Sequence, residues 1–304
     1  MNILKFLPKK LPVMLALLLS ITVSNVTYAG PIVTQWAYDT WAEFTSATFS
    51  GGSGATAQGL NEITWGATGG DYTNTGAGSS SAQSALTLGT TTTGNDRFGG
   101  GNVTGSVDTI MGLGAPTGTQ IGVGISASHW NNTLSASFST LESGTLTDYL
   151  NLSAVLPGLG VIQPAPTIGI DFKFQETDNA GVSGFCLNGD PVGSHAGGCP
   201  DIFGFAANLT VGIPFLYDGN MYALDILLTD GNGGAAPIAA LGAGYCGALN
   251  LANDCVGLVT AEAAVTSFQF GFDIRHVSRV PEPSSLVLFA LAIMFFGVRK
   301  YNHN

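Results

Sequence analysis

Two short polar clusters hold the residue types that could do chemistry. Ser128-His129-Trp130-Asn131 follows the apolar alternation Ile121–Ala127, and Glu176-Thr177-Asp178-Asn179 follows the alternation Ile168–Phe174. A histidine near a carboxylate can transfer protons. No serine or cysteine stands at a spacing that would make it the matching nucleophile. Two facing carboxylates could instead hydrolyse a polysaccharide, with Glu176 the first suspect. Six glutamates and fourteen aspartates offer too many pairs to choose from. Against these readings, Asn and Asp at strand ends commonly tie turns through side-chain-to-backbone hydrogen bonds. His129 is then a partly buried, hydrogen-bonded histidine. No catalytic residue is assigned on these grounds.

Other patterns are weaker. Gly242-Ala243-Gly244-Tyr245-Cys246-Gly247 fits GxGxxG literally. It is expected neither to follow a clear strand nor to open a helix, so it reads as a chance match. Asp230-Gly231-Asn232-Gly233-Gly234 has the first and third positions of a calcium loop but lacks the later carboxylates. It reads as a hairpin turn. No cofactor and no assigned metal follow; Ca²⁺ is the one ion these acidic turns suggest. GxSxG, HExxH and P-loop signatures are absent from the sequence.

The elements that must carry these clusters read as strands. Ile168, Ile170, Phe172 and Phe174 alternate with Gly169, Asp171, Lys173 and Gln175. Tyr222, Leu224, Ile226 and Leu228 repeat the pattern, as do Phe268, Phe270, Phe272 and Ile274. Ile121, Val123, Ile125 and Ala127 do so with Gly and Ser opposite. Period-two alternation predicts strands with one buried face. Turn clusters such as Asn188-Gly189-Asp190-Pro191 separate them. Without a βαβ rhythm, the expected fold is mainly β, an antiparallel sandwich or jelly roll. Residues 51–120 are rich in Gly, Ser, Thr and Ala. They are expected to be ordered but loop-heavy, anchored by Leu60, Ile63, Trp65, Leu86, Leu88 and Phe98.

Charge narrows the function. Nineteen of the 20 acidic residues lie in residues 30–278, against Arg97, Lys173 and Arg275, a formal charge near −16. Nucleic-acid binding needs a basic footprint and is not expected. Cys186, Cys199, Cys246 and Cys255 form an even set, which in an oxidising compartment predicts two disulfides. Three pairings are open. Cys186–Cys199 and Cys246–Cys255 are favoured because both close short loops.

The termini read as targeting segments. Residues 1–29 have a basic start (Lys5, Lys9, Lys10), a Leu-rich stretch and Thr27-Tyr28-Ala29, the pattern of a signal peptide cut by signal peptidase before Gly30. An uncleaved anchor is the alternative. At the other end Leu286–Val298 is apolar, 13 residues, about 20 Å of helix against a hydrocarbon core of roughly 30 Å. Arg299 and Lys300 follow as a basic stop, which keeps the tail cytoplasmic. A short transmembrane helix behind Val280-Pro281-Glu282-Pro283 suits a processing signal. The expected organisation is a signal peptide (1–29), one β domain (30–278) and a sorting tail (279–304).

That tail resembles the PEP-CTERM sorting tails of Gram-negative bacteria. The resemblance implies an exosortase as processing partner and a host that makes exopolysaccharide. The body resembles the THxN family of PEP-CTERM proteins. The likeness rests on Ile63-Thr64-Trp65-Gly66, Gln83-Ser84, Ser128-His129-Trp130-Asn131, Phe174–Asn179 and Cys199-Pro200-Asp201-Ile202-Phe203. Its motif residues here are Ser128, His129, Asn131, Glu176, Thr177 and Asn179, with Ser128 in place of the family's Thr. The resemblance supplies no activity.

The resulting expectation is a non-enzymatic protein of the cell surface or of an exopolysaccharide or biofilm matrix. A calcium- or glycan-binding module is the alternative, with Trp36, Trp41, Trp65 and Trp130 as candidate stacking residues, although most of the four are expected in the core. A polysaccharide hydrolase and an ice-binding protein, the latter suggested by Thr90–Thr93, come last.

Overall fold

The computed structural model describes residues 30–74, 78–90, 101–158, 162–164, 167–187, 189–195, 197–206, 212–229 and 239–279. The expected signal peptide, the sorting tail from Val280 with its expected apolar helix and basic stop, Asp230–Gly234, Thr91–Thr93, Arg97 and Phe98 lie outside the described residues. Among the described residues, no helix is long and apolar enough to cross a membrane.

The strands in chain order are β1 (Gln35–Phe49), β2 (Ala55–Gln58), β3 (Glu62–Gly66), β4 (Gln83–Gly89), β5 (Val103–Asp108), β6 (Gly122–Asn131), β7 (Leu141–Leu156), β8 (Ile162–Pro164), β9 (Ile168–Gln175), β10 (Asp201–Phe205), β11 (Ile213–Tyr217), β12 (Asn220–Thr229), β13 (Ala239–Ala240), β14 (Val256–Thr260) and β15 (Ala264–Arg279). A short α-helix, α1, spans Ala243–Ala248. The expected mainly β, antiparallel class is what forms. One sheet runs β13-β14-β10-β9-β7-β1-β5, with β8 beside β7; the other runs β11-β12-β15-β6-β4-β3-β2.

The chain divides into two compact units. The larger comprises residues 33–215 and 223–276 and holds the core. The smaller, among the described residues, comprises 30–32, 216–222 and 277–279. Within it, the Gly30 amide donates to the Asp218 carbonyl at 2.7 Å, and Asn220 Nδ2 donates to the Gly30 carbonyl at 3.0 Å.

In the larger unit the sheets meet through aromatic side chains. Phe172 and Phe203 stack at 4.8 Å, and Phe203 reaches Phe268 of the opposite sheet at 5.7 Å. Phe174 meets His129 across the sheets at 5.0 Å. Each fully buried side chain of this size stabilises the fold by about 1.5–3 kcal/mol. The alternation predicted for Ile168–Phe174 is realised, with those four side chains in and Gly169, Asp171 and Lys173 out.

Several expectations change. Ser128–Asn131 does not follow a strand; it is the last four residues of the ten-residue β6. The outer faces of β6 and β15 are not solvated along their middle, although Val265 and Val277 toward the ends of β15 are exposed. Ser126, Ser128, Gln269 and Asp273 are all buried. β6 is central, between β15 and β4, and hydrogen bonds link it to both: Ser126 Oγ of β6 donates to the Gly89 carbonyl of β4 at 2.9 Å, and Gln269 Nε2 of β15 donates to the Gly124 carbonyl of β6 at 2.9 Å. The GxGxxG stretch does follow a strand, the two-residue β13, and does open a helix, α1. That helix has six residues and carries the half-cystine Cys246 in the core. Leu60 is exposed, whereas Ile63, Trp65, Leu86 and Leu88 are buried. Trp36, Trp65 and Trp130 are core residues and cannot stack on a glycan. Trp41 is half-buried and stacks on Tyr149 at 5.1 Å. The longest strand pair, β1 with β7, carries an inward Thr40 and Asp148 that interrupt its apolar alternation.

Both favoured disulfides form, Cys186–Cys199 and Cys246–Cys255. Within the first loop the Cys186 amide donates to the Asp190 carbonyl at 2.8 Å, and Gly189 has φ +85°; Asn188 of the expected turn lies outside the described residues.

Candidate functional site

Strand parity assembles the site. On β6, Ile125 and Ala127 point inward, so His129 and Asn131 point inward as well. On β9, Phe172 and Phe174 point inward, and Glu176 follows on the same face. On β10, Phe203 and Phe205 line the core, and Asp201 shares their parity. β14 ends at the buried Thr260, and Glu262 stands in the turn to β15. At one end the apolar layer therefore gives way to a polar layer drawn from both sheets.

Glu176, Asp201 and Glu262 form its centre. Each offers an oxygen, and the three oxygens lie within 4.8 Å of one another. Asp201 is fully buried and Glu262 nearly so, while Glu176 is half-buried. Their contacts are specific. Trp65 Nε1 donates to Glu176 Oε2 at 3.1 Å. The Thr177 amide donates to Asp201 Oδ1 at 2.8 Å. Asn131 Nδ2 reaches Glu262 Oε1 at 3.3 Å, and Thr133 Oγ1 donates to Glu262 Oε2 at 3.2 Å. Asn131 Nδ2 also donates to the carbonyls of Thr260 and Ala261, at 3.1 and 3.2 Å. The Asn179 side chain adds a hydrogen bond to Glu262.

Burial and crowding work against charge here. Burial, and then the neighbouring Glu262, push Glu176 up to about 8, with the Trp65 indole N–H opposing. Burial raises Glu262 to about 7 against three hydrogen bonds that favour the ionised form. Asp201 is raised well above the usual carboxylate range, first by burial and then by Glu176 and Glu262. No lysine or arginine among the described residues pairs with any of the three. Buried oxygens remain without a donor: Glu176 Oε1, Asp201 Oδ2, Asn131 Oδ1 and Asn179 Oδ1. Native interiors seldom tolerate such atoms without a reason.

His129 stands beside the carboxylates. Its Nδ1 lies 2.9 Å from Thr260 Oγ1, and its ring stacks on Trp65 at 5.7 Å. Burial pushes its pKa down to about 3, so the ring is neutral. A neutral imidazole wedged between Trp65 and Phe174 is a packing residue.

The loop closed by Cys186–Cys199 completes the enclosure. Thr177 Oγ1 donates to the Cys199 carbonyl at 2.8 Å. Gly197 and Gly198 have φ of +86° and +131°, and a Cβ on them would lie 2.8 Å from Glu262 Cβ and 2.6 Å from Asn179 Oδ1. Only glycine permits both this backbone and this approach. Two clefts flank Glu176–Asp178. One, of about 490 Å³, is lined by Thr133, Glu176, Asn179 and Phe138; the other, of about 460 Å³, by Glu176, Phe185 and Leu187.

Of the motif residues, His129, Asn131, Glu176, Thr177 and Asn179 gather in this layer. Ser128 does not: it points to the other face, where its Oγ lies 2.7 Å from Ser267 Oγ. Asp201 and Glu262 were not among the candidate site residues. Asp201 carried a readable signal, its parity with Phe203 and Phe205. Glu262, within Ala261–Ala263, carried none.

A family model for the PEP-CTERM protein-sorting motif matches residues 279–300. This span contains Val280–Pro283 and the basic pair Arg299 and Lys300. The motif implies recognition by an exosortase during export and a destination at the cell surface. No curated protein matches the chain.

Proposed function

We propose that this chain is an exported, non-enzymatic protein of the cell surface or exopolysaccharide matrix. Signal peptidase cuts after Ala29. The tail helix at Leu286–Val298 then holds the chain in the membrane, with Arg299 and Lys300 inside, while an exosortase reads Val280-Pro281-Glu282-Pro283. The β body, a sandwich of the jelly-roll type and similar to the THxN family, is the delivered cargo.

The observation that carries this reading is the sorting motif at residues 279–300. Two disulfides suit an oxidising compartment. The acidic body suits a soluble, self-repelling surface protein. A glycosidase needs one protonated and one ionised carboxyl group on either side of an accessible glycosidic bond. Asp201 is fully buried, which favours a structural role for the cluster.

Deleting residues 280–304 tests the proposal. Wild-type chain is expected at the surface or in the matrix, shortened at both ends by intact mass. The truncated chain is expected to lose that destination. Unchanged localisation and an unprocessed C-terminus in the wild type would overturn the sorting claim.

A further inference from the structure

We propose that Glu176, Asp201 and Glu262, with the side chains of Asn131 and Asn179, form a Ca²⁺ site at one end of the β body. This goes beyond the sorting role and does not depend on it.

Three carboxylates converge within 4.8 Å with no cationic partner among the described residues. Isolated buried charge is so unfavourable that such groups are paired, coordinated or protonated. Hydrogen bonds account for part of the cluster but stop short. Asn131, fully buried, spends its Nδ2 on Glu262, Thr260 and Ala261, yet its Oδ1 accepts nothing. Asp201, also fully buried, uses Oδ1 for the Thr177 amide and leaves Oδ2 unpaired. Glu176 Oε1 and Asn179 Oδ1 are unpaired as well. A single cation would supply positive charge to several of these oxygens at once.

The donor set selects its chemistry. Apart from His129 Nε2, the unpaired buried atoms of these residues are carboxylate or amide oxygens, the ligands of hard cations. Ca²⁺ takes six to eight oxygens in flexible geometry, whereas Mg²⁺ demands a near-ideal octahedron. The ring nitrogens of His129 fall outside the group of atoms that lie within 4.8 Å of one another, which argues against a softer metal. The cleft lined by Thr133, Glu176 and Asn179 offers an entry path. Residues supplied by four separate segments meet here, so the ion would tie β6, β9, β10 and the β14–β15 turn together.

Thermal unfolding and calorimetry of the full chain, first stripped with chelator, test the site with CaCl₂ alone. Wild type is expected to bind one Ca²⁺ per chain and to gain roughly 5 °C in Tm at a hundredfold excess over Kd. Asp201→Asn and Glu262→Gln are each expected to weaken binding at least about tenfold, by analogy with the loss of outer-shell partners. Asp171→Asn, on the exposed face of β9, should leave it unchanged. Asp201→Asn keeps Oδ1 for the Thr177 amide, and Glu262→Gln is an independent second variant. Absence of saturable binding by wild type, whatever the variants do, overturns the proposal. So does a shift in Tm that Asp201→Asn and Glu262→Gln retain, because Ca²⁺ would then be held by the acidic surface. If the variants raise Tm without Ca²⁺ and wild type ignores Ca²⁺, the carboxyl groups share protons instead, and the proposal fails.

Discussion

Asp148 illustrates how a single inward carboxyl group can set pH behaviour. It lies on β7, nearly buried, and accepts a hydrogen bond from Thr40 Oγ1 at 2.8 Å. Burial pushes its pKa up to about 6, more than Thr40 and the Tyr149 amide hold it down. A raised carboxyl pKa favours the folded state at low pH. That contribution is complete below the unfolded value near 4 and is lost as pH rises through about 6. Asp148→Asn keeps an acceptor for Thr40 and removes the buried charge. We expect it to be more stable than wild type at pH 8 by on the order of 2 kcal/mol, with the difference vanishing near pH 4. Chemical denaturation at the two pH values reads this directly. His129 acts in the opposite sense. Its lowered pKa means that stability falls as pH drops below about 6.5, where the unfolded imidazole takes up a proton.

At the scale of elements, strand register places the polar layer and the disulfide loop closes it. The alternation of β9 was legible because it is regular and strongly apolar. The end of β6 was not. Ser128–Asn131 continues β6, and the phase set by Ile125 and Ala127 carries His129 and Asn131 inward. Hydrophobic pattern alone ends the strand at Ala127, since polar side chains at inward positions look like a loop. The same reason hid β1 and β7, where Thr40 and Asp148 satisfy each other. The loop between Cys186 and Cys199 holds Gly197 and Gly198 against Glu262 and Asn179. Replacing both cysteines by serine is expected to cost about 2–4 kcal/mol of folding free energy. It should also weaken the enclosure of Asp201, whose neighbour Thr177 bonds the Cys199 carbonyl. Urea denaturation beside a Ca²⁺ titration of the same variant checks both effects.

The whole molecule carries its charge unevenly. Residues 30–278 hold a formal charge near −16. Such self-repulsion destabilises the compact state and is screened by salt, with a Debye length of about 10 Å at 0.1 M. In the absence of Ca²⁺, Tm is expected to rise as NaCl is raised from low to physiological concentration. A flat response would show that the acidic groups are too dispersed to matter. The sorting motif and the β class were legible in sequence alone: the motif is a linear signal, and period-two alternation is a local property of a β chain. Four cysteines with short loops between neighbours also resolved correctly. The meeting of Glu176, Asp201 and Glu262 was decided only by tertiary structure. They are separated by 25 and 61 positions, and no local rule links them. Register across two sheets brings their oxygens within 4.8 Å, and burial then turns three ordinary carboxyl groups into one site.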